Sequence, residues 1–340
     1  MQQEHQNIQV AADQALTSGA LCRTFSDKGV AMTDLAFQLH AEDGHTIAVY
    51  HWPTPNARGV VHMLHGMAEH GGRYARLADT LNNAGWSLVA HDHRGHGLSV
   101  QDEQDRGHYH DEDGWQKVAD DVSVVQGWIS TQYPGMPRVL MGHSMGSFIA
   151  MSWALHHAAE IDGLILSSTD LKPRWFYRLI RLVLAVEKWR VGPRGKSALI
   201  KFLTFSSFAK KIQDRKTDFD WLSRDAEEVQ KYIADPMCGH DCTTQLWCDL
   251  IDELSAVSHR TGLATLDAQL PLYIFYGDND PMNDFGKGPE LIESILSKHR
   301  PGKLTIKKYA GGRHELLNDE NREEVSQSIG NWLNQHITRR

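Results

Sequence analysis

"RVLMGHSMGSFIAMSWALHH", residues 138–157, decides how this chain folds. The stretch opens on a short apolar run, turns sharply at Gly142-His143-Ser144-Met145-Gly146, and continues as an apolar helix. Gly142 and Gly146 let the backbone make a strained strand-to-helix turn, with the Ser144 hydroxyl alone at its tip. A helix that begins at such a turn aims its free N–H groups and its positive end at the same point, which suits a developing oxyanion. Ser144 is therefore the candidate nucleophile. The G-x-S-x-G spacing is weak by itself; the apolar strand before it and the helix after it give it weight.

Working outward, short runs rich in β-branched residues recur at 35–39, 46–52, 60–64, 87–91, 138–142, 163–166, 272–277 and 304–309. Helical stretches at 73–84, 115–131, 147–157, 287–298 and 323–336 separate most of them. Strands alternating with helices predict an α/β fold with a mostly parallel sheet flanked by helices. The hairpin-like "AEDGH" after the first run predicts an antiparallel edge. Between about 171 and 245 the alternation stops and the pattern is helical. That gap reads as a helical cap, 171–245, inserted over the sheet edge where ligands bind in open α/β sheets. The core is then 31–170 plus 246–340, and the polar residues 1–30 read as a loose arm.

A serine needs a base, and the base needs an orienting acid. With 20 histidines, the base has to be chosen by position. "LPLYIFYGDNDPM" ends a strand in Asp278 and Asp280, and "KLTIKKYAGGRHELLND" ends the last strand in a glycine-rich loop carrying His314. The order serine, acid, histidine fits this architecture. Asp280 is preferred to Asp278: it lies further past the strand end, and Pro281 holds it extended. The second oxyanion donor is expected in "VVHMLHGMAEHGG", where His65-Gly66-Met67 follows a strand. The Met67 N–H would pair with the Met145 N–H, and Gly66 would allow the close approach.

These motifs occur together and in order: "HGMAEHGGRYARLAD", "DHRGHGLS", "GHSMG", "ADPM", "GDNDPM" and "GGRHEL". Over about residues 35–338 the chain resembles the α/β-hydrolase superfamily, and within it the monoacylglycerol lipase and bacterial lysophospholipase family. The resemblance implies an eight-stranded sheet, a helical cap, no cofactor and hydrolysis of acyl esters. It places the nucleophile, acid and base on Ser144, Asp280 and His314, and the oxyanion donors on Met67 and Met145. One departure is visible: the family usually has glycine after G-H-S-M-G, and here Ser147 stands there. The cap matches least, which leaves the substrate open among monoacylglycerol, lysophospholipid and small or medium-chain esters; a thioesterase or aminopeptidase relative is the further alternative.

Composition narrows the partners. A formal net charge of −8 argues against nucleic-acid binding, and no apolar run is long enough to span a membrane. The N-terminus has no signal-peptide pattern, and four cysteines are too few to staple this length, so a cytoplasmic protein is expected. The cap departs from the overall charge: Lys172–Lys216 holds thirteen basic residues against Glu187 and Asp214. In "RWFYRLIRLVLAVEKWR", Phe176, Leu179, Ile180, Val183 and Leu184 form an apolar face, while Arg174, Arg178, Arg181 and Lys188 form a basic one. Such a helix packs on the core or lies on an anionic membrane.

Two clusters suggest metal chemistry. "HDHRGHG" (91–97) has Gly95 where a metallo-β-lactamase signature needs aspartate. "CGHDC" (238–242) offers Cys238, His240 and Cys242, with Cys248 nearby, but in no common zinc-finger spacing. No metal is expected. Asp92 and Arg94 read as a local pair that fixes the loop, and His91, His93 and His96 as structural groups. A non-catalytic binding protein of the same fold is the rival from another class; the complete triad argues against it.

Overall fold

The computed structural model describes residues 36–258, 260–298, 300 and 302–338. The arm expected over 1–30 lies outside the described residues. Eight strands form one sheet: β1 Ala36–His40, β2 Thr46–Trp52, β3 Gly59–Leu64, β4 Trp86–His91, β5 Arg138–His143, β6 Gly163–Ser167, β7 Leu272–Gly277 and β8 Leu304–Tyr309. Their order is β1-β2-β4-β3-β5-β6-β7-β8. β1 pairs antiparallel with β2, and β2 with β4; every later pairing is parallel. The central strands β3, β4, β6 and β7 are buried along their whole length, which is why their sequences are continuous apolar runs. The edges differ. β1 alternates exposed and half-buried residues, and β8 carries Lys307 and Lys308.

Helices α1 Ala75–Asn83, α2 Gly114–Gln132 and α3 Met145–His157 fall between the early strands. α3 is buried almost continuously from Met145 to Ala154, so it is apolar all round. Between β6 and β7 the described residues hold no strand. They form α4 Arg174–Val191, a helical stretch over 198–210 with a wide π turn at Phe202–Ser206, α5 Ala226–Ala234 and α6 Thr244–Val257. α7 Lys287–Leu296 and α8 Arg322–His336 complete the chain. α4 packs along α6, which itself touches α2 and α3.

The face of α4 differs from expectation. Tyr177 and Leu184 are buried, and Phe176 and Ile180 pack against the core. Leu179, expected on that face, is exposed. It belongs to a second apolar stripe, Trp175, Leu179, Leu182, Val186 and Trp189, that faces solvent. The helix is apolar on two sides, and α6 covers only one.

Register brings the chemistry-bearing loops to one edge. Leu64 of β3 pairs with Gly142 of β5, His143 with Ser167 of β6, Ser167 with Phe275 of β7, and Gly277 with Tyr309 of β8. The loops that follow β3, β5, β7 and β8 therefore leave the sheet side by side.

Candidate active site

Ser144 joins β5 to α3 with φ 51° and ψ −120°, a strained conformation for a residue with a side chain. Its N–H donates to the Ser167 carbonyl at 3.0 Å. The flanking glycines are required by space: a Cβ on Gly142 would lie 2.2 Å from the Gly146 carbonyl oxygen, and one on Gly146 would lie 2.1 Å from that of Leu64. Ser147 takes the place of the expected glycine without strain. Its hydroxyl donates to the Ser144 carbonyl at 2.6 Å and so ties down the turn.

His314 and Asp280 meet as the order of motifs predicts. His314 Nδ1 lies 2.8 Å from Asp280 Oδ2, and both side chains are buried. A carboxylate only accepts, so Nδ1 carries the proton and Nε2 keeps its lone pair. The other Asp280 oxygen accepts the Met282 N–H at 2.8 Å. Asp278, the discarded candidate, accepts the Gly311 N–H at 2.7 Å and shapes the histidine loop. Burial works against protonating His314, but the adjacent Asp280 carboxylate, aided by Glu315 and Glu69, outweighs it and holds the imidazole above its ordinary range. The ring packs between Trp221 and His143, each with centroid 4.9 Å away. The Ser168 hydroxyl donates to the His314 carbonyl at 2.6 Å.

The loop after β3 lies against the serine turn. A Cβ on Gly66 would stand 3.3 Å from Ser144 Cβ. His65 sets the shape of the loop. Its Nε2 accepts the His93 N–H at 2.9 Å, so its Nδ1 is the protonated nitrogen and donates to the Gly66 carbonyl at 2.7 Å. Met67 lines the cleft, while Met145, first residue of α3, is buried with its sulfur accepting the Tyr109 hydroxyl at 2.9 Å. Its backbone N–H belongs to the unpaired first turn of the helix.

Residues not singled out from the sequence connect these loops. Glu69 accepts the Gly66 N–H at 2.5 Å and the Tyr74 hydroxyl at 2.8 Å. Arg73 bonds Glu69 at 2.5 Å and forks onto Glu315 at 2.8 and 2.7 Å. Glu315 directly follows His314, so one partly buried guanidinium ties the loop after β3 to the histidine loop. Burial alone would raise the Glu315 pKa, but Arg73 overrides it and the carboxyl falls to about 2. All three lie inside quoted motifs; charged residues next to buried strand ends were the available signal.

The histidine-rich stretch needs one correction. Asp92 and Arg94 do not serve as partners for each other. Asp92 accepts the Gly71 and Leu98 N–H groups, each at 2.7 Å, and the Tyr50 hydroxyl at 3.0 Å. Arg94 instead forks onto Asp121 and Asp43. Both lie past the end of β4, and each finds longer-range partners, Asp92 on backbone N–H groups and Arg94 on two carboxylates. The cluster at 238–242 also divides: Cys238 groups with His70 and Asp235, whereas His240 and Cys242 group with His96.

A narrow cleft opens at this edge, lined among others by Met67, Ser144, Phe205, Trp221, His240 and His314. The region between β6 and β7 supplies its aromatic wall, to which Phe219 and Tyr232 also belong.

A mostly parallel eight-stranded sheet with a serine on a strained strand-to-helix turn and a buried histidine–aspartate pair at the same edge defines the α/β-hydrolase class. The family model described as "Serine aminopeptidase, S33" matches residues 55–321, and the chain belongs to that family. It is 27% identical over 285 residues to the monoacylglycerol lipase of Mycolicibacterium smegmatis, covering 84% of this chain and 91% of that protein. It is 29% identical over 316 residues to the monoglyceride lipase of Rattus norvegicus, covering 91% and 93%. The crystal structure of a thermostable carboxyl esterase from Bacillus coagulans in complex with glycerol superposes with a TM-score of 0.81 at 26% identity, covering 89% of this chain and 99% of that one.

Proposed function

We propose that this protein is a serine ester hydrolase that cleaves the acyl ester of a single-chain lipid, with monoacylglycerol as its substrate class. Ser144 is the nucleophile, His314 its base, and Asp280 the acid that holds the imidazole tautomer. The observation that carries the reading is the strained Ser144 at the same cleft as His314, which is bonded to Asp280.

The chemistry follows from those states. The lone pair on His314 Nε2 takes the Ser144 proton as Oγ attacks the ester carbonyl. The Met67 and Met145 N–H groups hold the oxyanion, and collapse expels the glycerol alkoxide, protonated by His314. Water then repeats the sequence on the acyl-enzyme. Phe205, Phe219, Trp221 and Tyr232 offer the acyl chain an apolar wall. An aminopeptidase would need a free carboxylate to hold the substrate ammonium. Glu69 and Glu315 line the cleft, but both are committed to Arg73, which favours an ester.

Residues 171–245 serve as the cap, and its outer surface meets the lipid phase. The stripe Trp175, Leu179, Leu182, Val186 and Trp189 is exposed beside Arg174, Arg178, Arg181 and Lys188, and Leu199, Phe202 and Leu203 of the same region are exposed as well. None of these basic residues lines the cleft, so their charge suits an anionic membrane surface better than a substrate phosphate. That separation is the ground for preferring monoacylglycerol over lysophospholipid. Among the described residues no helix is long and apolar enough to cross a membrane.

Hydrolysis of monoacylglycerol, lysophosphatidylcholine and p-nitrophenyl esters of graded chain length tests the reading. Long-chain monoacylglycerol should be preferred, and Ser144→Ala should lose on the order of 10³-fold or more in kcat together with labelling by a fluorophosphonate probe. Undiminished activity in that variant would overturn the nucleophile; preference for acetyl esters would overturn the substrate.

A further inference from the structure

The loop after β4 and the segment leading into α6 meet at the rim of the cleft. His96 from the first, and His240 and Cys242 from the second, each bring a ligand-capable atom to within 4.8 Å of the others. Their protonation states follow from their neighbours. His96 Nδ1 lies 2.9 Å from the Arg94 carbonyl. A carbonyl only accepts, so Nδ1 holds the proton and Nε2 keeps a bare lone pair. That Nε2 is buried and has no hydrogen-bond partner among the described residues. Both ring nitrogens of His240 are also buried, and among the described residues neither makes a hydrogen bond of good geometry, although the Met237 backbone is near. The two rings stand 5.1 Å apart, tilted by 57°. Cys242 is a buried free thiol, 4% exposed.

A buried lone pair without a partner is costly, and here such atoms gather beside a thiol. An imidazole whose Nδ1–H is held by a backbone carbonyl is already arranged as a metal ligand, with its tautomer fixed and Nε2 free. We propose that His96, His240 and Cys242 form a three-ligand site for a thiophilic transition metal, zinc(II) foremost, at the rim of the cleft. Two imidazoles and one thiolate suit zinc and exclude calcium and magnesium, which take oxygen. Tetrahedral zinc wants such atoms about 3.3–3.7 Å apart, so the group has to draw in by roughly an ångström. His240 is only half-buried and can supply that movement. Because His240 also lines the cleft, a bound ion would tie the cleft wall to the loop after β4.

Burial keeps both imidazoles neutral, with His96 down at about 4 and His240, which also feels His96, Arg106 and Lys196, at about 2. Burial pushes the Cys242 thiol up to about 12. Binding must therefore expel that proton: Zn²⁺ replaces H⁺ on Sγ, and the proton passes to buffer. Arg106 and Lys196 face the group and oppose a cation, while Asp241 and Glu69 favour one. Among the described residues the other such group is His70, Asp235 and Cys238, but there His70 Nε2 is already bonded to Asp235 at 2.9 Å.

Calorimetric titration of the metal-stripped protein with zinc chloride tests the site. One zinc per chain should bind with a Kd of about 10 μM or tighter at pH 7.5, release one proton, and weaken about tenfold per pH unit on acidification. Cobalt(II) should give a thiolate charge-transfer band in the near ultraviolet. Cys242→Ser should abolish that band and weaken zinc at least tenfold; His240→Asn should also weaken zinc at least tenfold. His240 is half-buried and makes no good hydrogen bond, so its replacement guards against a mere folding defect. Cys238→Ser and Ser144→Ala should bind as wild type. Absence of zinc binding, binding that survives both substitutions, or loss in Cys238→Ser would overturn the assignment.

Discussion

At the scale of the residue, the chemistry turns on how the protein holds one proton. Burial pulls the His314 pKa down, and Asp280 more than restores it. The sign fixes the pH profile. Attack needs the neutral imidazole, and a raised pKa keeps the charged form to higher pH, so kcat/KM should fall on acidification with a midpoint above the ordinary 6.5. Asp280→Asn removes the opposing charge. Its acidic limb should move below that of the wild type, and kcat should drop on the order of 10⁴-fold as the wrong tautomer is populated. A pH–rate profile whose limb stays fixed would deny Asp280 this role. Gly66→Ala tests the neighbouring loop. Its Cβ would meet Glu69 Oε1 at 2.8 Å and Ser144 Cβ at 3.3 Å, which pushes the Met67 N–H off target. The expected loss is up to about 10²-fold in kcat, with KM little changed.

At the scale of the element, strands and turns were legible because short-range chemistry fixes them. The eight runs became strands within a residue of their expected bounds; the central ones were legible because strands buried on both faces must be continuously apolar. The order of the motifs also set Asp280 and His314 on neighbouring loops, where the two side chains lie 2.8 Å apart. What escaped was pairing over long separations. Nothing near Glu315 in the chain announces Arg73, which lies 242 residues earlier. The helix α6 escaped as well, and with it the side of α4 that is covered, because periodicity marks an apolar stripe without naming its partner. Both gaps yield predictions. Arg73→Met leaves two buried carboxylates facing each other, so it should cost about 3–5 kcal/mol in a denaturant titration, with kcat falling as the two loops lose their tie. Leu182→Glu with Trp189→Glu should leave folding and p-nitrophenyl acetate hydrolysis intact and reduce co-flotation with anionic vesicles. Unchanged flotation would remove the outer stripe from the lipid contact.

At the scale of the whole molecule, the histidines set a limit on the conditions the fold tolerates. His62, His65, His91, His93, His96 and His143 are buried around the sheet's functional edge, and burial holds each below the ordinary 6.5, with His62 at about 3 and His96 and His143 at about 4. Their contacts explain why a second proton is unwelcome. His62 sits between the Gln126 amide nitrogen at 3.1 Å and His91 Nδ1 at 2.9 Å, a chain with room for one proton on each ring. In the unfolded chain these rings protonate below 6.5, and in the folded protein they do so only at lower pH. The unfolded state thus binds more protons through that window. The stability these groups contribute is intact above 6.5 and is lost as pH falls toward 4. Each ring can cost up to about 1.4 kcal/mol per pH unit, so several acting together rival the roughly 5–15 kcal/mol that holds a domain folded. His314, shifted the other way, offsets only a small part. Thermal melts should therefore show Tm flat above pH 7 and falling steeply between 6.5 and 5, ahead of carboxylate titrations such as that of Glu315. A Tm that held constant down to pH 5 would mean that these rings are hydrated and charged in the native state.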